Sequence, residues 1–396
     1  MEIMIFPDFR WNPNPTASSS SYVGHSVVLK YLQDYADHYQ LLPYIRFGHN
    51  LINVTRDHKL NCWKIKVCKL WITNDDDKMN NNGTTTTETS NIKQYCFDVL
   101  ILCPGRYAYP YWPENLTQLG ISQFAGSVIH SHDYRSNDCY INKKVAIIGG
   151  GPSGIDICLE IAQVASNVII LVRSSKVIYK GLPSNVQQIN GEIVEFLNNS
   201  GNRTIKVRSC DVRYESDDPI FKIFEIDFII FATGYRFNLS YLDKKTVGIK
   251  VQPNETLQGL YRHYINIQYP TMIILSVLQR VLPFALFQQQ ILYFMKCLLG
   301  QVYLPSQKEM LQHSELDFQK RKTLGFRDQD RHLANFDLLE EYFKQIADDG
   351  KLEPIPDVMM KLYRHLINVR CENIVTYKDR QYRIIDNGTS FEEIIT

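Results

Sequence analysis

Lys143 to Ser175 reads KKVAIIGGGPSGIDICLEIAQVASNVIILVRSS, and its order of elements decides the fold. The apolar run Lys144–Ile148 predicts a buried strand, and the residues from Ile155 to Ala162 place Ile155, Cys158, Leu159 and Ala162 on one face of a helix that Asn167 is expected to end. A second apolar strand is expected over Val168–Val172. Between first strand and helix stand Gly149, Gly151 and Gly154 in G-x-G-x-x-G spacing. That spacing alone is weak, but strand, glycines, helix and second strand in this order form a dinucleotide-binding unit. Gly149 suits the tight turn, Gly151 the close approach of a pyrophosphate, and Gly154 the packing of helix on strand. Pro152 fits the first helical turn, and with Ser153 it stands where free amides at the helix start receive phosphate.

An NAD-preferring site usually ends its second strand on an acid that binds the ribose hydroxyls; this chain has Arg173-Ser174-Ser175-Lys176 there. Arg173 can grip an adenosine 2′-phosphate with two charge-assisted hydrogen bonds, helped by the Ser174 hydroxyl, so NADPH is expected in preference to NADH. The competing reading of Arg173 is a solvated surface charge.

Outward from this unit, Val28, Tyr31, Leu32 and Tyr35 give Ser26–Leu42 helical periodicity, with Pro43 expected to stop it. Cys62–Ile72 alternates as a strand, and Asp98–Leu102 is continuously apolar, as in a strand covered on both faces. The polar low-complexity tract Asn74–Ser90 between them reads as a disordered surface loop. Asp227–Phe231 followed by Ala232-Thr233-Gly234 matches Asp98–Leu102 followed by Cys103-Pro104-Gly105, which suggests two related dinucleotide-type halves. A further apolar run, Thr271–Leu278, precedes helical, charged sequence.

With 396 residues the chain exceeds one ordinary core, and two domains are expected. With a formal net charge of +1 nothing suggests an electrostatic grip on nucleic acid, and small molecules are the expected partners. Cysteines at 62, 68, 96, 103, 139, 158, 210, 297 and 371 form no Cys-x-x-Cys pair and no metal-ligand spacing, so reduced structural thiols and no metal are expected. A disulfide reductase would need a close redox pair, and Cys62 and Cys68 are too far apart on one strand. The N-terminus lacks a signal-peptide pattern. Gln288, Gln289, Gln290 and Lys296 interrupt the apolar stretch Val281–Leu299, which argues for a buried or interfacial helix over a membrane span and leaves peripheral membrane association open.

Phe124, Gly126, His130 and Tyr134 fit F-x-G-x-x-x-H-x-x-x-Y, and here the chain resembles the flavin-containing monooxygenases. FPDF at Phe6–Phe9, YLQDYADHY at Tyr31–Tyr39, GGGPSG at Gly149–Gly154, FATGY at Phe231–Tyr235 and LPFALFQQQ at Leu282–Gln290 extend the resemblance over nearly the whole chain. It implies an α/β fold of two Rossmann-like dinucleotide-binding domains, the NADPH domain inserted in an FAD domain. It also implies NADPH- and O2-dependent oxygenation of soft nucleophilic nitrogen or sulfur in small molecules through a C4a-hydroperoxyflavin. On this analogy Gly149, Gly151, Ser153 and Gly154 cradle the pyrophosphate, and Arg173 with Ser174 selects the 2′-phosphate. Thr233 and Gly234 lie at a strand end near the domain junction, and Phe124, Gly126, His130 and Tyr134 belong to a linker setting the domains. His130 reads as an ordered structural histidine rather than a catalytic base, and no catalytic side chain is assigned.

The resemblance also shows departures. The family's first G-x-G-x-x-G, which holds FAD, has no counterpart here, so the FAD domain is expected to be incomplete over 1–137, followed by the NADPH domain at 138–242 and the FAD-domain return with C-terminal helices at 243–396. Pro104 replaces a threonine, and Ser276 stands where the family has a glycine. The alternative reading is a truncated or degenerate, non-catalytic NADP(H)-binding relative. The expected place is the cytoplasm or the cytosolic face of the endoplasmic reticulum membrane.

Overall fold

The computed structural model describes residues 3–9, 21–69, 92–173, 178–197, 203–209, 220–252 and 256–394. The chain forms two compact units, one of Met1–Gly105, Asn238–Leu362 and Gln381–Thr396, the other of Arg106–Phe237 and Tyr363–Arg380. Among the described residues the α-helices are α1 His25–His38, α2 Pro152–Ala162, α3 Pro283–Leu298, α4 Gln307–Thr323, α5 Phe336–Gly350 and α6 Asp357–Glu372. The tract expected to be a disordered loop, Asn74–Ser90, lies outside the described residues, as does Ser174.

In the unit that carries the glycine-rich turn, the continuous apolar runs become buried parallel strands, because a strand covered on both faces needs no polar alternation. Its sheet has the order Ile220–Glu225, Thr204–Ser209, Val186–Leu197, Asn167–Val172, Lys144–Ile148, Phe228–Phe231, Ser127–His130. Lys144–Ile148 runs parallel to Asn167–Val172 on one side and to Phe228–Phe231 on the other. In chain order, the four strands from Val186–Leu197 to Phe228–Phe231 therefore stand 3-2-1-4, the doubly wound arrangement, with its reversal at Lys144–Ile148. Thr204–Ser209 and Ile220–Glu225 extend the sheet antiparallel, where the sequence reading placed no strands. Ala146, Ile169, Leu171, Ile189, Ile205 and Phe231 fill one face together with Phe124 and Phe196. Asn167 does not end α2, which stops at Ala162; it opens the next strand instead.

The other unit contains a four-stranded sheet ordered Leu260–Tyr261, Ile265–Asn266, Met272–Ile274, Leu100–Leu102 and a three-stranded antiparallel sheet of His49–Asp57, Cys62–Lys69 and Ile92–Phe97. Among the described residues Leu100–Leu102 ends its sheet, and Ile101 is 39% exposed, so the expectation of a strand covered on both faces is corrected by that exposure. Pro43 does not stop α1, which already ends at His38; Leu42–Tyr44 is a separate 3-10 turn. The expectation of reduced thiols is also corrected, since Cys62 and Cys96 form a disulfide across 34 residues, with Cα atoms 6.0 Å apart. Adjacent strands bring them together, with Lys64 opposite Cys96, a pairing invisible to a search for short cysteine spacings. In α3 the interrupting Gln289 and Gln290 are buried, and their amides donate to the Glu353 carbonyl and the Tyr342 hydroxyl, each at 2.9 Å. No helix among the described residues is long and apolar enough to cross a membrane.

The tip of the hairpin Leu260–Asn266 carries two successive left-handed residues, Arg262 (φ 51°) and His263 (φ 67°). Arg321 donates to His263 Nε2 at 3.0 Å, His263 Nδ1 and His332 Nδ1 share a hydrogen bond of 3.0 Å, and His332 Nε2 faces the Leu257 carbonyl at 3.0 Å and the Leu257 amide at 3.3 Å. The two facing Nδ1 atoms share one proton between them, so at most one of the two rings can be cationic, and the Asp317 carboxylate also lies 3.3 Å from His263 Nε2. Burial, reinforced by Arg321 and Arg331, holds His263 well below its ordinary pKa, and burial beside His263 does the same for His332.

Ser276 adopts φ 65°, in the left-handed region that favours glycine. Ser276→Gly is expected to stabilise the fold by about 0.5–1 kcal/mol, the relieved strain less the extra flexibility of glycine in the unfolded chain. Urea unfolding should show a higher midpoint at unchanged slope; a lower midpoint would contradict the strain argument.

Candidate functional site

Strand ends Ile148 and Phe231 lie side by side at the point where the strand order reverses, and the chain turns there through Gly149 at φ 119°. A Cβ on Gly149 would collide with the Ala232 carbonyl oxygen, and a Cβ on Gly154 with the Gly149 carbonyl oxygen. These two glycines exist to let strand, turn and helix close on one another. Gly151 differs: it is exposed, its φ is −73°, and a Cβ there meets nothing within 4 Å. It is the N-cap of α2 and lends that helix start no side-chain cap. Pro152 and Ser153 are likewise exposed, so the first turn of α2 presents backbone amides and the positive end of its dipole to open space. An anion such as a pyrophosphate fits such a terminus. Arg173 follows the second strand, is exposed, and has no carboxylate partner among the described residues. The cradle and this cation fit NADP(H).

Tyr179 was not anticipated. It lies 29 residues beyond Gly150, its hydroxyl donates to the Gly150 carbonyl, and the Gln188 side chain accepts from its backbone amide at 2.9 Å. No spacing rule signals a tyrosine that folds back onto the turn.

Thr233 and Gly234 continue the strand Phe228–Phe231. The Thr233 hydroxyl donates to the Tyr111 carbonyl, and the Gly234 carbonyl accepts from the Tyr111 amide at 2.9 Å, with Gly234 at φ 90°. Tyr235–Arg236 then pairs antiparallel with Tyr109–Pro110. Phe124, Gly126, His130 and Tyr134 all lie inside this same unit, around its edge strand Ser127–His130. Phe124 packs on Phe196 at 5.8 Å, and a Cβ on Gly126 would strike the Asp227 carbonyl. His130 is fully buried, accepts from the His132 amide at 3.1 Å on Nδ1, and packs against Trp112 and Tyr235. Burial lowers its pKa, with Asp133 opposing, so it is a neutral ring wedged among aromatics. Tyr134 stacks on Tyr140 at 5.9 Å, and its buried hydroxyl, facing Glu160, is raised in pKa. The described residues of the other unit form no second glycine-rich cradle, so the flavin's pyrophosphate is not matched by residues present there. No cluster of metal ligands occurs among the described residues.

Doubly wound sheet, glycine turn and a cation without a carboxylate partner among the described residues define an α/β fold of the dinucleotide-binding class. The chain belongs to the flavin-binding monooxygenase-like family, whose sequence model matches residues 1–218 and 217–364. It is similar to flavin-containing monooxygenase FMO GS-OX-like 2 of Arabidopsis thaliana, 26% identical over 357 residues, covering 88% of this chain and 69% of that protein. It is also similar to senecionine N-oxygenase of Tyria jacobaeae, 24% identical over 375 residues, covering 94% of this chain and 74% of that one. Among solved structures, S-allyl-L-cysteine S-oxygenase from Allium sativum superposes with a TM-score of 0.78 at 21% identity, over 96% of this chain and 79% of that one. The fold is thus that of flavin monooxygenases with two dinucleotide-binding domains, and the family's general chemistry is flavin-dependent oxygenation.

Proposed function

We propose that this chain binds NADP(H) on the Gly149–Gly154 turn and acts with FAD and O2 as a monooxygenase of soft nucleophilic nitrogen or sulfur in small molecules. The observation that carries the proposal is the open first turn of α2 behind Gly151, with Arg173, which has no carboxylate partner among the described residues, at the end of the neighbouring strand. The chain's residues would bind the dinucleotide by backbone amides, select the 2′-phosphate by the Arg173 guanidinium, and keep the turn rigid through Tyr179. FAD would supply the redox chemistry, on a pyrophosphate cradle that the described residues do not provide. The names of the N-oxygenase and S-oxygenase relatives support nitrogen and sulfur as the targets. We place the protein in the cytoplasm or on the cytosolic face of the endoplasmic reticulum membrane, held peripherally if at all. A second reading, a non-catalytic NADP(H)-binding relative, is favoured by Ser276, whose side chain stands at a left-handed position where the family resemblance calls for glycine.

The test is consumption of NADPH by the full chain supplied with FAD, O2 and either a tertiary amine or a thioether. Substrate-dependent oxidation with formation of N-oxide or sulfoxide supports the first reading; NADPH binding without turnover supports the second. Arg173→Ala is expected to weaken NADP+ by about tenfold and leave NAD+ unchanged, the loss of one charge-assisted contact to phosphate. Equal losses for both dinucleotides would assign Arg173 another role.

A further inference from the structure

A cavity of about 190 Å3 opens between the tip of the hairpin Leu260–Asn266, α4 and α5, in the unit that does not carry the glycine turn. The tip lines it with Arg262 and His263, α4 with His313, Asp317 and Arg321, and α5 with Tyr342. Most of its charges are already engaged. Arg321 Nε donates to Asp317 at 2.8 Å, Asp317 also lies 3.3 Å from His263 Nε2, and Lys320 pairs with Glu341. Two nitrogens are left over. Arg262 is 6% exposed and its Nη2 donates to Asp349, yet its Nε is buried with no hydrogen-bond partner among the described residues. His313 Nδ1 is buried in the same condition, and the His313 ring packs on Tyr261, the chain neighbour of Arg262, at 4.9 Å. Arg262 and His263 both hold left-handed backbone, a strain that clusters where a chain presents side chains to a ligand.

An arginine Nε–H can only donate, so the missing partner supplies an acceptor. Burial, then the Arg262 charge, lowers the pKa of His313 against Asp317 and Asp349, and burial with Arg321 and Arg331 lowers that of His263. Cations are therefore unwelcome at the tip, while Asp317 and Glu341 on the same wall oppose a dianion. In bulk, an engineered cavity of about 150 Å3 takes benzene. Apolar surface is at hand in Leu316, which is 62% exposed, and in Leu338 and Tyr342.

We propose that this cavity binds a small organic monocarboxylate, whose carboxylate accepts from Arg262 Nε and His313 Nδ1 and whose apolar part lies on Leu316, Leu338 and Tyr342. The site does not depend on the NADP(H) reading, and its failure would leave that reading untouched.

The experiment is calorimetric titration of the full-length chain at pH 7.5 with benzoate, its neutral counterpart benzamide and the cation benzylammonium. Benzoate should bind at one site at least about tenfold more tightly than benzamide, as a charge-assisted contact requires, and benzylammonium should not bind. Arg262→Gln and His313→Phe should each weaken benzoate by about tenfold. Thermal melts show which variants fold; His313→Phe keeps a ring against Tyr261, so it tests the site even where Arg262→Gln disturbs the hairpin. The inference is overturned by a wild type that shows no saturable benzoate binding or takes benzamide equally well, or by a folded His313→Phe protein that binds benzoate as tightly as the wild type.

Discussion

Gly151→Ala is expected to leave the fold intact and weaken NADP+ binding by about a hundredfold, because a methyl group at the helix start displaces the pyrophosphate from several charge-assisted amide contacts. The backbone at Gly151 has φ −73°, which any residue adopts, and a Cβ there meets no protein atom within 4 Å. The space it would fill is the space a phosphate needs. Gly154→Ala is the counterpart with the opposite signature. Its Cβ would run into the Gly149 carbonyl oxygen and approach the Ala232 Cβ at 3.3 Å, both parts of a packed turn that cannot yield cheaply. A loss of about 3 kcal/mol or more is expected, enough to unfold a marginally stable unit. Circular dichroism melts with NADP+ titrations on both variants check the pair. A Gly151→Ala protein that binds normally would show that no phosphate sits on this turn.

Stability should fall steeply on mild acidification. His263 and His332 are neutral in the folded chain with pKa values held well below the ordinary 6.5. The unfolded chain takes up protons on both as the pH drops through 6.5, while the folded chain does not, so stability is full above that value and declines below it. Two such groups cost about 2 kcal/mol between pH 6.5 and 5.5, provided both folded values lie below that range. His130 and His313, also lowered by burial, act in the same direction. Asp57, held at about 2 by Lys64 and backbone amides, belongs to a separate window below its ordinary 3.8 and does not confuse the measurement. Urea unfolding at pH 7.5, 6.5 and 5.5 reads the slope, and His332→Gln should flatten it. A stability constant across this range would mean that the His263–His332 pair is not buried and neutral.

The parts of the fold legible in the sequence are those whose cause is local. Lys144–Ile148, Gly149–Gly154 and Asn167–Val172 carry their own signal, because burial on both faces, a tight turn and a phosphate-ready helix start each demand particular residues within a short span. Phe228–Phe231 was readable for the same reason, as was α1, apart from its end. What was not legible is long-range. Cys62 and Cys96 meet only because two strands pair, Tyr179 returns to Gly150 through a turn, and Tyr363–Arg380 joins a unit whose other residues end at Phe237. Arg262 and His263 look like surface residues in sequence, and only the hairpin that carries them inward makes them buried partners of Arg321 and His332. Asp98–Leu102 misled in the other direction, since an apolar strand can also leave a side chain such as Ile101 exposed.

Saturation binding of NADP+ and NAD+ to the wild-type chain tests the central claim, a dinucleotide site on the Gly149–Gly154 turn that selects the 2′-phosphate, most directly. The account predicts a single site for NADP+, at least about tenfold tighter than for NAD+, as one charge-assisted contact to the extra phosphate requires. Equal affinities, or no binding of NADP+, would contradict it.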